Sequence, residues 1–401
     1  MKSITAFILA LSFFLLFQAT IFSAEKNGYF ELTITGNPAS PGFIKESIII
    51  LLRNKFNLKY NENLTLPGFN PSPVLPYQQA LLTANISSDK PGLPQSVKVL
   101  IKNEPYPNLE PVLLMFSDHP EVISKRGLLF NAGIIRNKPV RLQYYHQGDP
   151  ASPPRAIFFT FFNPNKEKCV LKVLGDFGGP DKRVFKVGHG SNVKFMKRLA
   201  SDEGVIWEIP PGEHVDFNVH ILKPSEVISG LYQFLMIKGK PLWFYISVRE
   251  NPDEPFSAPP ITSLDTHDKG AYLVTAVKVK RMLDSYEKEI YTSIGSVPLG
   301  DVFGAKPMQG DYGVIYDIEF VLKNSTSKDR NVSLYFNPRG GPAAGTFLVG
   351  SSIVESVVTK AYKETLIRNV KVKARSERIF KLRTMPEGAS YYPVRIIARW
   401  N

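Results

Sequence analysis

The amino-acid sequence predicts a mainly β protein with two tandem β-sandwich domains and a small N-terminal extension that contains one helix. Three observations favour this fold: short apolar runs rich in β-branched and aromatic residues, the 32 Pro and 28 Gly of the chain, and a segment that the chain repeats. The 401 residues are enough for about two or three domains with sizeable cores.

Residues 1–24 have the layout of a secretory signal peptide. Lys2 precedes a mostly apolar run from about Ile4 to Phe22, and the small residues Ser23 and Ala24 follow. We therefore expect an exported protein that reaches the cell surface, the periplasm or the exterior. A run of about 18 mostly apolar residues can also just span a bilayer, so an uncleaved anchor is the alternative and would be the only contact with a membrane.

Residues 25–95 have no counterpart elsewhere in the chain and predict an extension. Within them YFELTIT predicts a strand. The run FIKESIIILLRNKF has the length and composition of a helix that begins after the Pro41-Gly42 break. The Pro-rich run NLTLPGFNPSPVLPY predicts an extended loop.

Residues 96–250 predict the first β-sandwich domain. The expected strands are SVKVLIKN, PVLLMF, PVRLQYYHQ, RAIFFTFFN, KCVLKVLG, VIWEI, HVDFNVHIL and LWFYISV. The segment SNVKFMKRLASDEG predicts a helix that Ser191 caps and that Gly204 follows. Residues 251–265 are polar and rich in Pro, which predicts a linker.

Residues 266–401 predict the second β-sandwich domain, because the series of strands begins again after the linker. The expected strands are AYLVTAVKVK, YGVIYDIEFVLKN, NVSLYF, TFLVG, LIRNVKVKA, RIFKLRT and YYPVRIIARW. No hydrophobic tail or sorting signal follows the last of them.

The repeated segment reads GGPDKRVFKVG from Gly178 and GGPAAGTFLVG from Gly340. In each copy a strand, a turn that begins with Asn and a second strand come before the glycines. Two copies of one sandwich unit explain this order. We expect the motif to end in a short strand in both copies, so that Phe185 and Val187 enter one core and Phe347 and Val349 enter the other.

The pieces FFNPNKEKCVLKV and IPPGEHVDFNVHIL resemble paired strands of immunoglobulin-like modules in exported bacterial proteins. In such modules an Asn-led turn precedes one strand and a Pro-Gly-Glu turn precedes another; in the second copy ARSER replaces the latter turn. The resemblance implies tandem immunoglobulin-like β-sandwich domains and export. It implies no particular activity, because these modules serve as spacers, adhesins and binding domains.

The sequence predicts no catalytic residue, no metal site and no cofactor. It has no phosphate loop, GxSxG elbow, HExxH, paired CxxC or EF-hand pattern. The single cysteine, Cys169, alternates with Lys168 and shares its face with Leu171 and Val173, so we expect it to be buried on a strand.

Two histidines lie in HVDFNVH, where a strand would place alternate residues on one face. Either His214 with Asp216 or Asn218 with His220 could offer adjacent metal ligands. His214 and His220 would be about 20 Å apart, so one ion cannot bind both. The interpretation that we favour is a solvated outer face.

A hydrolase would have to assemble its site from residues distant in sequence. The expected residues are His146, Asp149 and Asp176, converging in a cleft between the first sandwich and the extension. His189 is a further candidate because it lies in a Gly-His-Gly stretch, although the second copy has Ser351 there.

The formal net charge of +13 predicts attraction to anionic partners, namely wall polymers, acidic glycans, lipid headgroups or nucleic acid, and export favours an envelope polymer or glycan. Another envelope protein is a further expected partner. Export argues against nucleic acid as the partner. The expected polyanion-binding residues are Lys360, Lys363, Arg368, Lys371, Lys373, Arg375 and Arg378. Lys371, Lys373 and Arg375 would share the outer face of one strand; the alternative is that these cations keep the protein soluble and protect a sheet edge.

The first hypothesis is therefore a non-catalytic exported protein with a structural or binding role in the cell envelope. The alternatives are a secreted glycan-directed hydrolase and a periplasmic chaperone or assembly subunit that pairs an exposed strand with a client.

Overall fold

The computed structural model describes residues 28–56, 58–59, 62–250, 260–261, 267–302, 304 and 307–401. The predicted signal peptide and most of the predicted linker, 251–265, lie outside these residues. The described chain is mainly β, as the sequence predicts, and its sheets remain open. None of its described helices combines the length and apolarity needed to cross a membrane.

We call residues 28–250 the first lobe. Its described elements are, in chain order, β1 Phe30–Thr35, α1 Pro41–Lys55, β2 Leu64–Thr65, β3 Gln79–Asn85, β4 Ser87–Ser88, β5 Ser96–Asn103, β6 Leu113–Ser117, β7 Val122–Ile123, β8 Gly127–Ile134, β9 Val140–Gly148, β10 Arg155–Phe162, β11 Cys169–Asp181, α2 Val184–Ser201, β12 Gly204–Ile209, β13 His214–Leu222, β14 Val227–Lys238 and β15 Leu242–Arg249.

We call residues 267–401 the second lobe. Its described elements are β16 Lys269–Tyr272, β17 Ala276–Asp284, β18 Glu289–Ile294, β19 Ile315–Asn324, β20 Arg330–Pro338, β21 Ala343–Val349, β22 Ser352–Thr359, β23 Thr365–Val372, β24 Ser376–Thr384 and β25 Val394–Trp400.

Two facing sheets form the first lobe. Among the described residues, the larger sheet has ten strands in the order β16-β6-β9-β14-β11-β12-β1-β5-β3, with β7 beside β9, and it faces the sheet β13-β10-β15-β8. Aromatic rings join the two layers: Phe161 meets Phe234 edge to face with centroids 5.1 Å apart, and Tyr144 lies 4.3 Å from Phe159. Such rings bury large apolar areas, so they anchor this core.

The predicted strand and helix of the N-terminal segment are confirmed, but they belong to the first lobe. Strand β1 pairs with β12 on one side and with β5 on the other. On α1, the apolar residues Ile44, Ile48 and Leu51 are fully buried in the same core. The division predicted at residue 95 therefore does not separate two packing units, because β3 also pairs with β5 across it.

A second pair of sheets forms the second lobe, in the orders β17-β19-β24-β21-β22 and β18-β25-β20-β23. Phe336 and Phe347 pack between them with centroids 5.5 Å apart. Leu114, Phe116 and Tyr272 of the large sheet join this core, because β16 pairs with β6. The large sheet thus contributes to both cores.

The Asn-led turns are built alike in the two lobes. The side-chain amide of Asn163 donates to the carbonyl oxygens of Glu167 and Ile209, at 2.8 and 3.0 Å. The amide of Asn324 donates in the same way to Lys328 and Val372, at 2.8 and 3.2 Å. Both side chains are fully buried, so each turn satisfies its polar groups by one shared pattern.

The prediction of a short strand after the first Gly-Gly-Pro is wrong. Phe185 and Val187 lie on helix α2, whereas Phe347 lies on β21 and is fully buried. The glycines have different neighbours: a Cβ at Gly178 would lie 2.1 Å from the carbonyl oxygen of Val187, so this glycine allows the helix backbone to approach β11. In the first lobe the motif therefore leads into a helix.

The predicted helix exists but begins earlier than expected. It runs from Val184 to Ser201, so Ser191 is an internal residue whose hydroxyl donates to the carbonyl oxygen of Gly188 at 2.9 Å. Asp202 ends the helix in the left-handed conformation. Because α2 packs on both lobes, its extra turns have tertiary contacts that the local pattern does not show.

Helix α2 lies between the large sheet and the second lobe. Its Phe195 and Met196 pack with Leu231 of β14 on one side and with Ile315 and Met385 on the other. Near its start the helix backbone approaches the loop between β24 and β25, where a Cβ at Gly188 would lie 1.7 Å from the carbonyl oxygen of Gly388. This close approach requires glycine at position 188.

We predict opposite effects for two alanine substitutions in α2. Gly188→Ala should lower the free energy of unfolding by about 1–3 kcal/mol, because its methyl group collides with backbone. Gly190→Ala is the matched control: a Cβ there meets nothing within 4 Å, so it should raise the free energy by about 0.5–1 kcal/mol. Thermal unfolding of both variants checks this, and equal melting temperatures would contradict the described contact.

Candidate functional site

The predicted basic residues lie along β23 and the turns at its two ends. β23 is an edge strand, and its eight residues span about 26 Å. All seven side chains are exposed. In chain order, Lys360 and Lys363 precede the strand, Arg368 and Lys371 lie on it, Lys373 and Arg375 lie in the following turn, and Arg378 lies on β24.

The expectation that Lys371, Lys373 and Arg375 share one strand face is wrong for the last two. β23 ends at Val372, and Arg375 adopts a positive φ of 49°. The side chain of Asn324 explains why the strand ends there, because it donates to the carbonyl oxygens of Val372 and Lys373, at 3.2 and 3.1 Å. The cations therefore follow the edge and its turn rather than one flat stripe.

Two cations of β24, the next strand along the chain, are neutralised. Lys381 lies 3.3 Å from Glu319, and Arg383 forms a bidentate pair with Asp317 at 2.6 and 3.0 Å. Lys280 of β17 reaches Glu319 from the other side at 3.1 Å. The carboxylates of β19 thus compensate the outer face of this sheet.

Along β23 the positive charge is largely uncompensated. Lys371 is the exception, since its Nζ lies 3.0 Å from Asp329. Within the described residues, no carboxylate is within ion-pair distance of Arg378 on β24, whose Nη1 donates to the carbonyl oxygen of Lys371 at 2.8 Å. The same holds for five predicted cations on β23 and its turns, namely Lys360, Lys363, Arg368, Lys373 and Arg375. We call these five residues the β23 cations. They form an open cationic edge rather than a salt-bridge network.

The predicted outer face of HVDFNVH does not include His220. A β-bulge shifts the pairing of β10 with β13 between Phe159 and Thr160, which changes the alternation along β13. His220 is therefore buried, with Nε2 3.1 Å from the hydroxyl of Tyr144 and its ring 4.4 Å from that of Phe177. Burial lowers the pKa of His220 to about 3, so the ring is neutral near pH 7.

The structure does not bring together His146, Asp149 and Asp176. His146 stands opposite Ile228 and Asp176 opposite Leu231, and positions three apart on β14 face opposite sides of the sheet. His146 is fully buried, within 3.1 Å of its hydrogen-bond partners on the β6–β7 segment. Asp149 binds the exposed turn that follows it. The hydrolase site expected from these residues is therefore not formed.

His189 connects α2 to the second lobe. Its Nδ1 lies 2.9 Å from Glu387 and its Nε2 3.1 Å from Glu355. Glu387 is fully buried and also accepts a hydrogen bond from Thr346 at 2.6 Å. Burial alone would lower the pKa of His189, but the two carboxylates outweigh it and raise the pKa. Burial raises the pKa of Glu387.

Sequence reasoning missed the partners of His189, because both glutamates lie far away in the chain and no local pattern marks them. A second group that it missed comprises Asp118, Glu121 and His267. Their potential ligand atoms lie within 4.8 Å of one another, and Nε2 of His267 is 2.7 Å from Glu121. The ion pair between His267 and Glu121 explains why two of these three residues lie together. The absence of a metal site, which the sequence predicts, stays a prediction.

No family model and no curated protein sequence matches this chain. Among solved structures, the PBSX exported protein XepA is 13% identical, covering 85% of this chain and 99% of its own, with a TM-score of 0.16. Tripeptidyl peptidase 2 is 11% identical over 80% of this chain with a TM-score of 0.19, and the match spans 26% of that chain. Likenesses of this strength carry no argument about function.

We predict that His189 and His220 give stability opposite dependences on pH. The pKa of His189 is raised in the folded protein, so its contribution is complete below the ordinary value of 6.5 and is lost as the pH rises through the raised value. The pKa of His220 is lowered, so its contribution is complete above 6.5 and falls as the pH drops toward about 3.

Melting temperatures between about pH 5 and pH 8 test this pair of histidines. The melting temperature of His189→Gln should approach that of the unsubstituted protein as the pH rises. The melting temperature of His220→Gln should approach it as the pH falls. Differences that change in the same direction for both variants would contradict the described environments.

Proposed function

We propose that the protein is a non-catalytic, exported component of the cell envelope that binds an anionic polymer or glycan along the β23 edge. The observation that carries this proposal is the uncompensated charge of the β23 cations beside a sheet face whose cations are paired. We also propose that each pair of facing sheets is an immunoglobulin-like module, for which the shared Asn163 and Asn324 turns are the support.

The arrangement of the cations fits a linear polyanion. They are spread along an edge of about 26 Å and both of its turns, so a chain laid along β23 can meet them in sequence. Because all five side chains are exposed, each contact is weak alone and the contacts act together through release of counterions. Binding of this kind is strongly sensitive to salt.

The same charges disfavour the chaperone alternative at this edge. A cationic edge strand opposes the addition of another strand, since its side chains protect the unpaired backbone groups. Protection of the edge without any ligand is the competing interpretation, and a binding measurement separates the two.

We predict that the protein is retained on isolated bacterial cell envelopes and on immobilised heparin, and is released by salt. Five ionic contacts imply a loss of affinity of about 100-fold between about 50 and 200 mM salt. Replacing all five β23 cations by Glu should abolish retention at the lower salt concentration. The measurement is elution of purified residues 25–401 across a salt series.

The matched control replaces five exposed lysines of the first lobe by Glu, so its net charge changes by the same amount as that of the β23 variant. These lysines are Lys98, Lys125, Lys138, Lys166 and Lys182. This control should keep most of the retention. Equal losses in the two variants would mean that net charge alone attracts the polymer, and full retention by the β23 variant would refute the proposed site.

A further inference from the structure

A groove of about 410 Å³ lies where β3 begins and β5 ends, at one edge of the large sheet. Its volume is within the range of about 300–1,000 Å³ that is usual for ligand sites. Tyr77, Gln78, Gln79 and Tyr106 are among the residues that line it. Its place in the first lobe makes it separate from the β23 edge.

The backbone around this groove is held in place by strands. Tyr77 N donates to the carbonyl oxygen of Asn103 at 2.8 Å, and Asn103 N donates to that of Gln78 at 3.0 Å. Glu104 N donates to the carbonyl oxygen of Ile34 at 2.8 Å, which ties the same corner to β1. The backbone positions from which the lining side chains extend are therefore fixed, as a binding site requires.

Tyr77 is an unusual residue for its position. Its side chain is 84% exposed, and its backbone has a φ of 63°, in the left-handed region that favours glycine. An exposed aromatic ring gains nothing from burial, and the backbone conformation is unfavourable for it. Strained residues of this kind are concentrated at ligand sites.

Asn103 holds the corner of the groove together. Asn103 lines the groove, yet only 1% of the residue is exposed to solvent. Its Nδ2 donates to the carbonyl oxygens of Gly36 and Val74 at 2.9 and 2.8 Å, whereas its Oδ1 accepts no hydrogen bond from the described residues. This oxygen has less than 1 Å² of accessible surface, so the Asn103 side chain belongs to the frame of the groove and does not reach a ligand.

The charged groups at the groove already have partners, so no unpaired charge is left to bind an ionic ligand. Lys102 is paired with Glu31 at 2.7 Å. Burial, followed by the charge and hydrogen bond of Glu104, raises the pKa of Tyr106, so this hydroxyl stays protonated at pH 7. The polar groups on offer are therefore neutral amides and hydroxyls with one carboxylate, Glu104, that already has a partner.

We propose that this groove binds a neutral carbohydrate. A pyranose ring has apolar C–H faces, which suit the rings of Tyr77 and Tyr106, and a rim of hydroxyl groups that both donate and accept. The amide groups of Gln78 and Gln79, two residues that line the groove, can both donate to such hydroxyls and accept from them. Aromatic and amide groups together select a ligand with both an apolar face and a polar rim.

Titration of the full chain with maltohexaose, cellohexaose and chitohexaose, observed by saturation-transfer NMR and calorimetry, tests the proposal. At least one of the three should bind. Tyr77→Gly should weaken that binding at least tenfold, because it removes the ring. Glycine adopts a φ of 63° without strain, so this variant should fold with no loss of melting temperature.

Tyr362→Gly is the matched control, since Tyr362 is also exposed, has a φ of 64° and lies in the second lobe. It should bind the sugar as the unsubstituted protein does. Absence of binding by all three sugars, or equal affinities of the two variants, overturns the proposal. Heparin retention should be unchanged by Tyr77→Gly, so failure of this groove and failure of the β23 edge are distinguishable.

Discussion

The relation between the two lobes depends on the guanidinium group of Arg141. This β9 side chain is 1% exposed, and its Nη1 donates to the carbonyl oxygens of Thr275 and Gly313, at 2.6 and 2.9 Å. Burial lowers its pKa to about 9, so it stays charged near pH 7. A buried cation is costly unless it is hydrogen-bonded, so the residues just before β17 and β19 must stay in place.

Other contacts also hold the junction together. Helix α2 can approach the second lobe closely only because Gly188 lacks a side chain, and His189 then lies between Glu355 and Glu387. The large sheet also contributes to both cores. One connected framework therefore carries both the cationic edge of the second lobe and the groove of the first.

Local patterns predict the parts of this structure that depend on local interactions. Cys169 is fully buried on β11 as expected, and the Asn163 and Asn324 turns recur because each depends on a side chain and nearby carbonyls. The burial of His220 was not predictable, since it follows from a bulge in pairing with another strand. The β23 charges are visible in the sequence, but the compensation of Arg383 by Asp317 is not, because that partner lies on β19.

The most direct test of the framework is differential scanning calorimetry of the full chain and of Arg141→Ala. This substitution removes the guanidinium donor from the carbonyl oxygens of Thr275 and Gly313, of which Thr275 keeps the hydrogen bond from Ile315 N at 3.0 Å. We expect one cooperative transition for the unsubstituted protein and one at a lower temperature for the variant, because the α2 packing and the β6–β16 pair then join the lobes without the Arg141 hydrogen bonds. Two independent transitions in the unsubstituted protein, neither of them moved by Arg141→Ala, would contradict this expectation.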